Sequence, residues 1–279
     1  MSTNQEHSNP TVSAPTSTWY PGDSFPFSLA GRVMVLTGVT GGIGHAIVRG
    51  ALHLGARVVM IGRSKEKLEA ILAEFAGIGA QFDSAGAAPR LRYICTPLEQ
   101  EEEVRKAAQN VLDTEGVVDV LVNSAGTFAD GDWREIPVGD MKDLYQVNVV
   151  APFVLCQVLA NALIASRGQV VFMNSSSVQS IGFQKTPYTT TKFAMKGLAD
   201  SFRQEFNRHG IRTLSVFPGR TATDMQRRLH EGRGEPFLPH TLSQPEDIAG
   251  LVLHILQTPR TSEVTEIFIR PMSNWDAGK

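Results

Sequence analysis

Short apolar runs alternate along the chain with longer stretches in which apolar residues recur every three or four positions. Five of these runs favour strands: 32–36, 57–61, 118–122, 168–173 and 213–217. They are largely apolar on both sides, as parallel strands are when helices cover both faces of a sheet. The alternation continues from Arg32 to Ile269 without a linker-like break. It predicts one α/β domain over residues 29–279, built on a doubly wound parallel sheet of about seven strands.

The first 28 residues do not follow this pattern. They are rich in Ser, Thr, Asn and Pro, and lack the apolar core of a signal peptide and the basic amphipathic pattern of a transit peptide. We interpret them as a flexible N-terminal arm. The aromatic residues at its end could dock on the domain or on another subunit, or could simply form a loosely packed lead-in to the first strand: Trp19, Tyr20, Phe25 and Phe27.

Composition narrows the classes of function. The net charge of −2 gives no electrostatic footprint for nucleic acid or an acidic membrane, and no run of about 18 apolar residues predicts a membrane span. The 7 histidines are scattered without ligand-like spacing, so no metal site is expected. Cys95 and Cys156 do not suggest a disulfide framework. A reducing, cytoplasmic location is the simplest expectation.

A glycine-rich segment follows the first predicted strand and precedes a predicted helix. It runs Thr37-Gly-Val-Thr-Gly-Gly-Ile-Gly44, with glycines at 38, 42 and 44. Such glycines let the backbone turn tightly and approach a diphosphate at the helix N-terminus, although they could merely connect two elements. The spacing is not Gly-x-Gly-x-x-Gly, because His45, Ala46 and Ile47 follow Gly44.

The end of the second predicted strand indicates which dinucleotide would bind. An NAD site expects a carboxylate here for the ribose 2′-hydroxyl, whereas arginine suits a 2′-phosphate. There is no Asp or Glu between Gly44 and Lys65, and Arg63 and Ser64 follow the strand. Guanidinium pairs with phosphate in a bidentate fork, so these residues favour NADP(H). The alternative is an exposed arginine that opens the helix predicted over 65–75.

Tyr188 and Lys192 are four residues apart on a helix predicted to begin with Thr186 as N-cap and Pro187 in its first position. The spacing places both side chains on one helical face. A cation about 4 Å from the phenol would favour phenolate by roughly 4 kcal/mol, and we therefore expect Lys192 to lower the pKa of Tyr188 toward neutrality. On its own, the pair could equally be a surface tyrosine and a solvated lysine.

The motifs together resemble the short-chain dehydrogenase/reductase family in their order and approximate spacing, over about residues 30 to 270. They are Thr37-Gly38-x-x-x-Gly42-x-Gly44, Asn123-Ser-Ala-Gly126, Asn148, Ser175, Tyr188-x-x-x-Lys192 and Pro218-Gly219. The resemblance implies a Rossmann-like fold and an NADP(H)-dependent enzyme that acts on a carbonyl or alcohol. It also implies pairing of the predicted helix 140–165 and the Tyr188 helix in a homodimer or homotetramer.

The resemblance also implies a role for each motif residue. Tyr188 would be the general acid or base, Ser175 would polarise the carbonyl oxygen, Lys192 would lower the tyrosine pKa and hold the nicotinamide ribose, and Asn148 would anchor a relay water. The implied cofactor contacts are Gly38, Thr40, Gly42, Ile43, Gly44, Arg63, Ser64, Asn123, Ala125, Gly126, Tyr188, Lys192, Pro218, Gly219, Thr221 and Thr223.

Three places depart from the family pattern. Ser175 stands in a run of three serines, so its assignment depends on register and Ser176 is the alternative. The third strand ends without the usual aspartate for adenine, and Thr96 is the nearest substitute. The last strand, predicted within 264–271, lacks the usual glycine-rich ending.

Three segments should surround the substrate, because ligands bind at the carboxyl ends of parallel strands. They are 127–137, 178–185 and a substrate loop at about 223–240, and they contain Phe128, Trp133, Phe183, Met225, Leu229 and Phe237. These residues predict a moderately bulky, hydrophobic ketone or aldehyde rather than a sugar or a charged acid, unless they only pack a lid. The alternative functions are a catalytically silent NADP(H)-binding regulator or scaffold, and epimerisation or dehydration on the same cofactor.

Overall fold

The computed structural model describes residues 28–80 and 90–272. The predicted arm over residues 1–28 lies outside this part of the chain except for its last residue. Seven strands form one parallel sheet in the order β3-β2-β1-β4-β5-β6-β7. They are β1 Val33–Thr37, β2 Arg57–Gly62, β3 Leu91–Cys95, β4 Val120–Asn123, β5 Gln169–Met173, β6 Arg212–Pro218 and β7 Glu266–Ile269. The predicted doubly wound, Rossmann-like α/β sheet of about seven strands is confirmed.

Helices follow the strands and cover both faces of the sheet. They are α1 Gly42–His53, α2 Lys65–Glu74, α3 Ala76–Ala80, α4 Glu101–Glu115, α5 Val138–Tyr145, α6 Ala151–Ser166, α7 Thr186–Phe206, α8 Asp224–Gly232 and α9 Pro245–Leu256. Alternate residues of β1 enter different cores: Met34 and Leu36 pack with α1 and α9, whereas Val35 packs with α4, α6 and α7. This two-sided burial explains why the strand sequences are apolar throughout.

The predicted helix over 140–165 is interrupted in its hydrogen bonding. Gln146–Val150 forms a π-helical turn between α5 and α6, and Asn148 lies within it. A π-turn holds one more residue than an α-turn, so it redirects the side chains that follow. The sequence offers no signal for this turn, because propensity does not distinguish it from an ordinary helix.

Val138–Ser166 as a whole is a helical segment of 29 residues, long and apolar enough to cross a membrane by length and composition. The sequence-based criterion was an uninterrupted apolar run, and in this segment Gln146, Asn148, Gln157 and Asn161 interrupt such a run. The apolar residues of α6 nevertheless pack against the sheet and α4 in one of the two cores. The core helix of a soluble protein passes the same test, so the composition of this one helix is weak evidence for a membrane span.

Two local predictions also change. Thr186 is the first residue of α7 rather than its N-cap; Lys185 precedes the helix and makes no side-chain cap bond. The predicted substrate loop at 223–240 contains the helix α8, which begins because the Thr223 hydroxyl accepts a hydrogen bond from the Gln226 amide, 3.3 Å away. That segment is therefore more ordered than a loop.

Candidate active site

The glycine turn after β1 is closed by contacts that only glycine allows. Gly38 has φ +73°, and a Cβ there would lie 2.6 Å from the backbone of Ser124. A Cβ on Gly44 would lie 2.3 Å from the carbonyl oxygen of Gly38. Side chains at these positions would push the turn away from β4 and from the start of α1. The turn therefore keeps its backbone close to the N-terminus of α1, as an anion-binding turn requires.

Thr37 ties this turn to the segment after β4. Its Oγ1 accepts hydrogen bonds from the amides of Ser124 and Ala125, each 3.1 Å away. Thr37 is part of the glycine motif, but its sequence gave no indication of this bracing role. Asn123 ends β4 and is buried, and its side chain approaches the Cys156 sulfur at 3.8 Å. The implied contacts Thr40 and Ile43 lie on the same turn, exposed and partly buried respectively.

The segment after β6 lies against the glycine turn. A Cβ on Gly42 would come within 3.1 Å of the Thr223 side chain. Thr221 is buried and donates a hydrogen bond to the Gly219 carbonyl, 3.1 Å away, while the Gly219 amide donates to the Ile269 carbonyl of β7 at 2.7 Å. Pro218 is the last residue of β6. The predicted contacts from distant parts of the sequence thus line one edge of the sheet.

Arg63 lies at the same edge of the sheet, just after β2. Its guanidinium is 2.8 Å from the Glu99 carboxylate, and 71% of its side chain is exposed. The two residues meet because β2 and β3 are neighbouring parallel strands whose carboxyl ends coincide. Ser64 caps α2, where its hydroxyl accepts from the Lys67 amide at 3.4 Å. Thr96, the substitute for the missing aspartate, is buried beside this strand end.

Tyr188 and Ser175 meet at the carboxyl end of β5. The phenol of Tyr188, in the first turn of α7, hydrogen-bonds with the side chain of Ser175. The Ser175 Oγ also accepts from the Ser177 amide at 3.2 Å, which fixes the hydroxyl in place. Ser175, rather than the neighbouring Ser176, therefore makes the contact to the tyrosine. The ring of Phe128 packs against Tyr188 with centroids 4.9 Å apart.

Lys192 does not act on Tyr188 as the sequence predicted. Its ammonium donates to the Met173 carbonyl at 3.0 Å and lies 5.5 Å from the centroid of the tyrosine ring, not at the phenol oxygen. Burial raises the pKa of Tyr188, and only the Ser175 hydrogen bond opposes that rise. The prediction that Lys192 brings the pKa of Tyr188 toward neutrality is therefore wrong for this structure, because burial penalises the phenolate.

The lysine itself carries the larger perturbation. Lys192 is only 3% exposed, and burial lowers its pKa from 10.5 to about 8. Desolvation of the ammonium is the cause of this shift. A lysine with this pKa exchanges protons near neutral pH far more readily than a solvated one.

Asn148 is fully buried and holds the segment after β4 in place. Its Oδ1 accepts from the Thr127 amide at 2.8 Å, and its Nδ2 donates to the Thr127 carbonyl at 3.1 Å and to Thr191 Oγ1 at 3.0 Å. A Cβ on Gly126 would lie 3.4 Å from Asn148 Oδ1 and 3.6 Å from Lys192 Nζ. Asn148 therefore has one acceptor position left, on Oδ1. Thr191, which shares this network, was not predicted; it carries no signal beyond adjacency to Lys192.

The comparisons with known proteins show which family this chain resembles. The short chain dehydrogenase family model matches residues 32–234. Farnesol dehydrogenase of Aedes aegypti is 31% identical over 252 residues, which cover 87% of this chain and 97% of that protein. Gluconate 5-dehydrogenase of Gluconobacter oxydans (strain 621H) is 32% identical over 205 residues, or 73% of this chain and 76% of that protein.

A solved structure of a metagenomic short-chain oxidoreductase in complex with NADP has a TM-score of 0.73 and 29% sequence identity to this chain. The similarity covers 88% of this chain and 99% of the solved chain. The family model matches most of the chain, and the relatives are similar to it over nearly its full length. We conclude that this chain belongs to the short chain dehydrogenase family and is an oxidoreductase by descent.

Proposed function

We propose that this chain is an NADP(H)-dependent carbonyl reductase or alcohol dehydrogenase. The observation that carries the proposal is the meeting of Tyr188, Ser175, Lys192 and Asn148 at the carboxyl ends of β4 and β5, next to the glycine turn. A silent NADP(H)-binding regulator or scaffold would not need these four side chains in one network. Epimerisation or dehydration has no observation in its favour.

The residues around the glycine turn fit a dinucleotide. The turn leaves its backbone uncovered by any Cβ at Gly38, Gly42 and Gly44, and the exposed guanidinium of Arg63 lies at the end of the neighbouring strand. Arginine suits a 2′-phosphate, and a similar protein has been solved with NADP. When bound, the nicotinamide would supply or accept the hydride. The segment Pro218–Thr223 would orient its ring.

Tyr188 would protonate the carbonyl oxygen during reduction, and Ser175 would donate a hydrogen bond to that oxygen. The raised pKa of Tyr188 keeps the phenol protonated at neutral pH, ready to donate. Lys192, with its pKa near 8, would return a proton to Tyr188 after each turnover. The free acceptor position on Asn148 would hold the water that connects Lys192 with solvent.

The test is NADPH oxidation against a panel of ketones and aldehydes, with wild type and Tyr188→Phe. We expect a loss of about 10²- to 10⁴-fold in turnover, the contribution of a positioned general acid, with NADPH affinity retained. The phenylalanine keeps the packing against Phe128, so folding should not change. Undiminished turnover in the variant would remove Tyr188 from the proposed role.

The substrate would be a carbonyl compound or alcohol with a hydrophobic portion. Phe128 packs on Tyr188, and Trp133 and Phe183 lie largely exposed on the segments that flank it. The names of two relatives indicate different substrates, farnesol and gluconate, so neither decides the choice here. A preference for small neutral carbonyls without an apolar portion would contradict this assignment.

We also propose that the chain is a homodimer or homotetramer, formed through α5, α6 and α7. Phe153 on α6 and Phe193 on α7 are large apolar side chains that are 46% and 45% exposed, and a second subunit would cover them. Sedimentation at micromolar concentration should give a dimer or tetramer, and Phe153→Lys should shift it toward monomer. Trp133→Lys, at an exposed position outside these three helices, is the control. A cytoplasmic location remains a prediction.

A further inference from the structure

Two partly buried cations lack a protein partner in the described part of the chain. Of the Lys and Arg side chains in residues 28–80 and 90–272, Lys185 and Arg220 are the ones that are partly buried and form no hydrogen bond or ion pair there. The other unpaired cations in this part of the chain are exposed. Buried or half-buried charges are normally paired, because desolvation is otherwise uncompensated.

Both cations are close in the sequence to residues of the site, and the charge of Arg220 acts on Lys185. Lys185 immediately precedes α7, three residues before Tyr188, and Arg220 immediately follows Pro218-Gly219. Each is thus fixed within a few residues of a group that the proposed reaction uses.

Charges around Lys185 repel it more than they attract it. Burial and the neighbouring Arg233 lower the pKa of Lys185, with Arg220 adding to the effect, while Asp130 and Glu235 act in the opposite sense. Asp130 is already engaged, because its carboxylate is 2.8 Å from the Arg233 guanidinium. The second carboxylate, Glu235, is 4.0 Å from the ring of His230. Three cations therefore share a region with two carboxylates, and neither carboxylate pairs with Lys185 or Arg220.

The backbone holds Lys185 in this place. Gln184 has φ +56°, a conformation that residues other than glycine seldom adopt. Its carbonyl accepts a hydrogen bond from the Gly131 amide at 2.9 Å, which ties the segment before α7 to the segment after β4. Strained residues cluster at ligand-binding positions. Here the hydrogen bond from Gly131 holds the strained Gln184 next to the unpaired Lys185.

We propose that Lys185 and Arg220 bind an anionic group of the substrate, a carboxylate or phosphate, so that the enzyme acts on a carbonyl compound with both an apolar and an anionic portion. This inference rests on the proposed function. It departs from the sequence-based prediction of a hydrophobic rather than a charged substrate. Phe128 would contact the apolar portion near Tyr188, and the two cations would fix the orientation of the substrate.

The same anion could come from the diphosphate of the cofactor rather than from the substrate, and the experiment has to separate the two. The probes are phenyl keto acids with the carboxylate at increasing distance from the ketone, namely benzoylformate, 4-oxo-4-phenylbutanoate and 5-oxo-5-phenylpentanoate. Each is paired with its methyl ester, which has nearly the same shape and no charge. Binding is measured calorimetrically on the NADPH complex of Tyr188→Phe, so that affinity does not depend on turnover.

We expect at least one acid to bind tenfold or more tightly than its ester, and Lys185→Met and Arg220→Met each to remove most of that preference. Lys142→Met, an exposed and unpaired cation on α5, is the matched control and should change nothing. NADPH affinity should stay within about twofold in all variants. Equal affinities for every acid and ester would overturn the inference.

If Lys185→Met and Arg220→Met weaken NADPH and leave the acid-to-ester ratio unchanged, the cations serve the cofactor and the substrate assignment is wrong. Turnover of the same probes by the wild type gives a separate result. Absence of turnover with the acid preference intact would refute the proposed reaction but not the anion site. Thermal unfolding checks that the variants are folded. Lys185→Met should unfold at the same temperature as the wild type or at a higher one, because it removes an unfavourably placed charge.

Discussion

The site runs along the edge formed by the carboxyl ends of the strands, and the two ends of this edge are built differently. At the Tyr188 end, the polar groups are buried and tied to one another: Asn148 joins Thr127 to Thr191, and Lys192 is held by the Met173 carbonyl. At the β2 end, Arg63 is largely exposed and has one surface partner, Glu99. Buried groups must be satisfied by the fold, whereas an exposed ion pair contributes little to stability. The first end should therefore couple function with stability, and the second should not.

Among the variants that test this difference, Lys192→Met should have the largest effect, which is on turnover. We expect turnover to fall by about 10²- to 10⁴-fold if the lysine supplies protons to Tyr188, as for other proton-transfer groups. NADPH oxidation with the most active carbonyl of the panel is the measurement. A loss below tenfold would show that this buried network is only structural.

The same variant tests the buried charge through pH. The pKa of Lys192 is about 8 in the folded chain and 10.5 ordinarily, so the unfolded chain binds more protons between these values. The free energy of unfolding should therefore rise with pH across this window in the wild type relative to Lys192→Met, by on the order of 3 kcal/mol. Urea unfolding at pH 7.5, 9 and 10 measures the difference. A constant difference would contradict the burial of an unpaired ammonium.

Asn148→Ala should affect both stability and activity. It leaves the amide and carbonyl of Thr127 without their side-chain partner, at a cost of roughly 1–3 kcal/mol for the buried groups. Urea unfolding measures the loss of stability. Turnover at a temperature where the variant is folded measures the loss of activity. Thr191→Val removes one of the hydrogen bonds to Asn148 and should have a smaller effect in the same direction.

Arg63→Ala should weaken NADPH without destabilising the chain. Loss of a charge-assisted contact to the 2′-phosphate corresponds to roughly tenfold to a hundredfold in affinity, while NADH affinity should not change. The free energy of unfolding should change by less than about 1 kcal/mol, since the ion pair is exposed. If the preference for NADPH over NADH persists, another residue recognises the phosphate.

The smallest effect is expected from Glu99→Gln. This change frees Arg63 from its carboxylate partner and removes a negative charge near the 2′-phosphate. NADPH should bind a few-fold more tightly, with unchanged stability. Weaker binding would indicate that Glu99 orients Arg63 rather than competing for it.

The same contrast explains what the sequence could and could not predict. The sheet and the glycine turn follow from apolar runs and from glycine spacing. The meeting of Ser175 with Tyr188 was expected only from the resemblance to the family. The pairing of Arg63 with Glu99 depends on which strand lies next to β2, and the sequence does not determine that order residue by residue. The pKa of Tyr188 was predicted wrongly because spacing gives the nearest charge but not the depth of burial.

The π-turn at Gln146–Val150 has a consequence for how this chain can vary over evolutionary time. Such a turn arises when a helix accommodates one inserted residue, and deletion of a residue here would restore the regular α-helical register. The helix on one side of the deletion would then rotate about its axis by about 100° relative to the helix on the other side, because each α-helical residue adds that angle. Asn148 would lose Thr127, or the apolar side of α6 would leave the sheet. The length of this segment is therefore a heritable constraint in itself, separate from the identity of any residue within it.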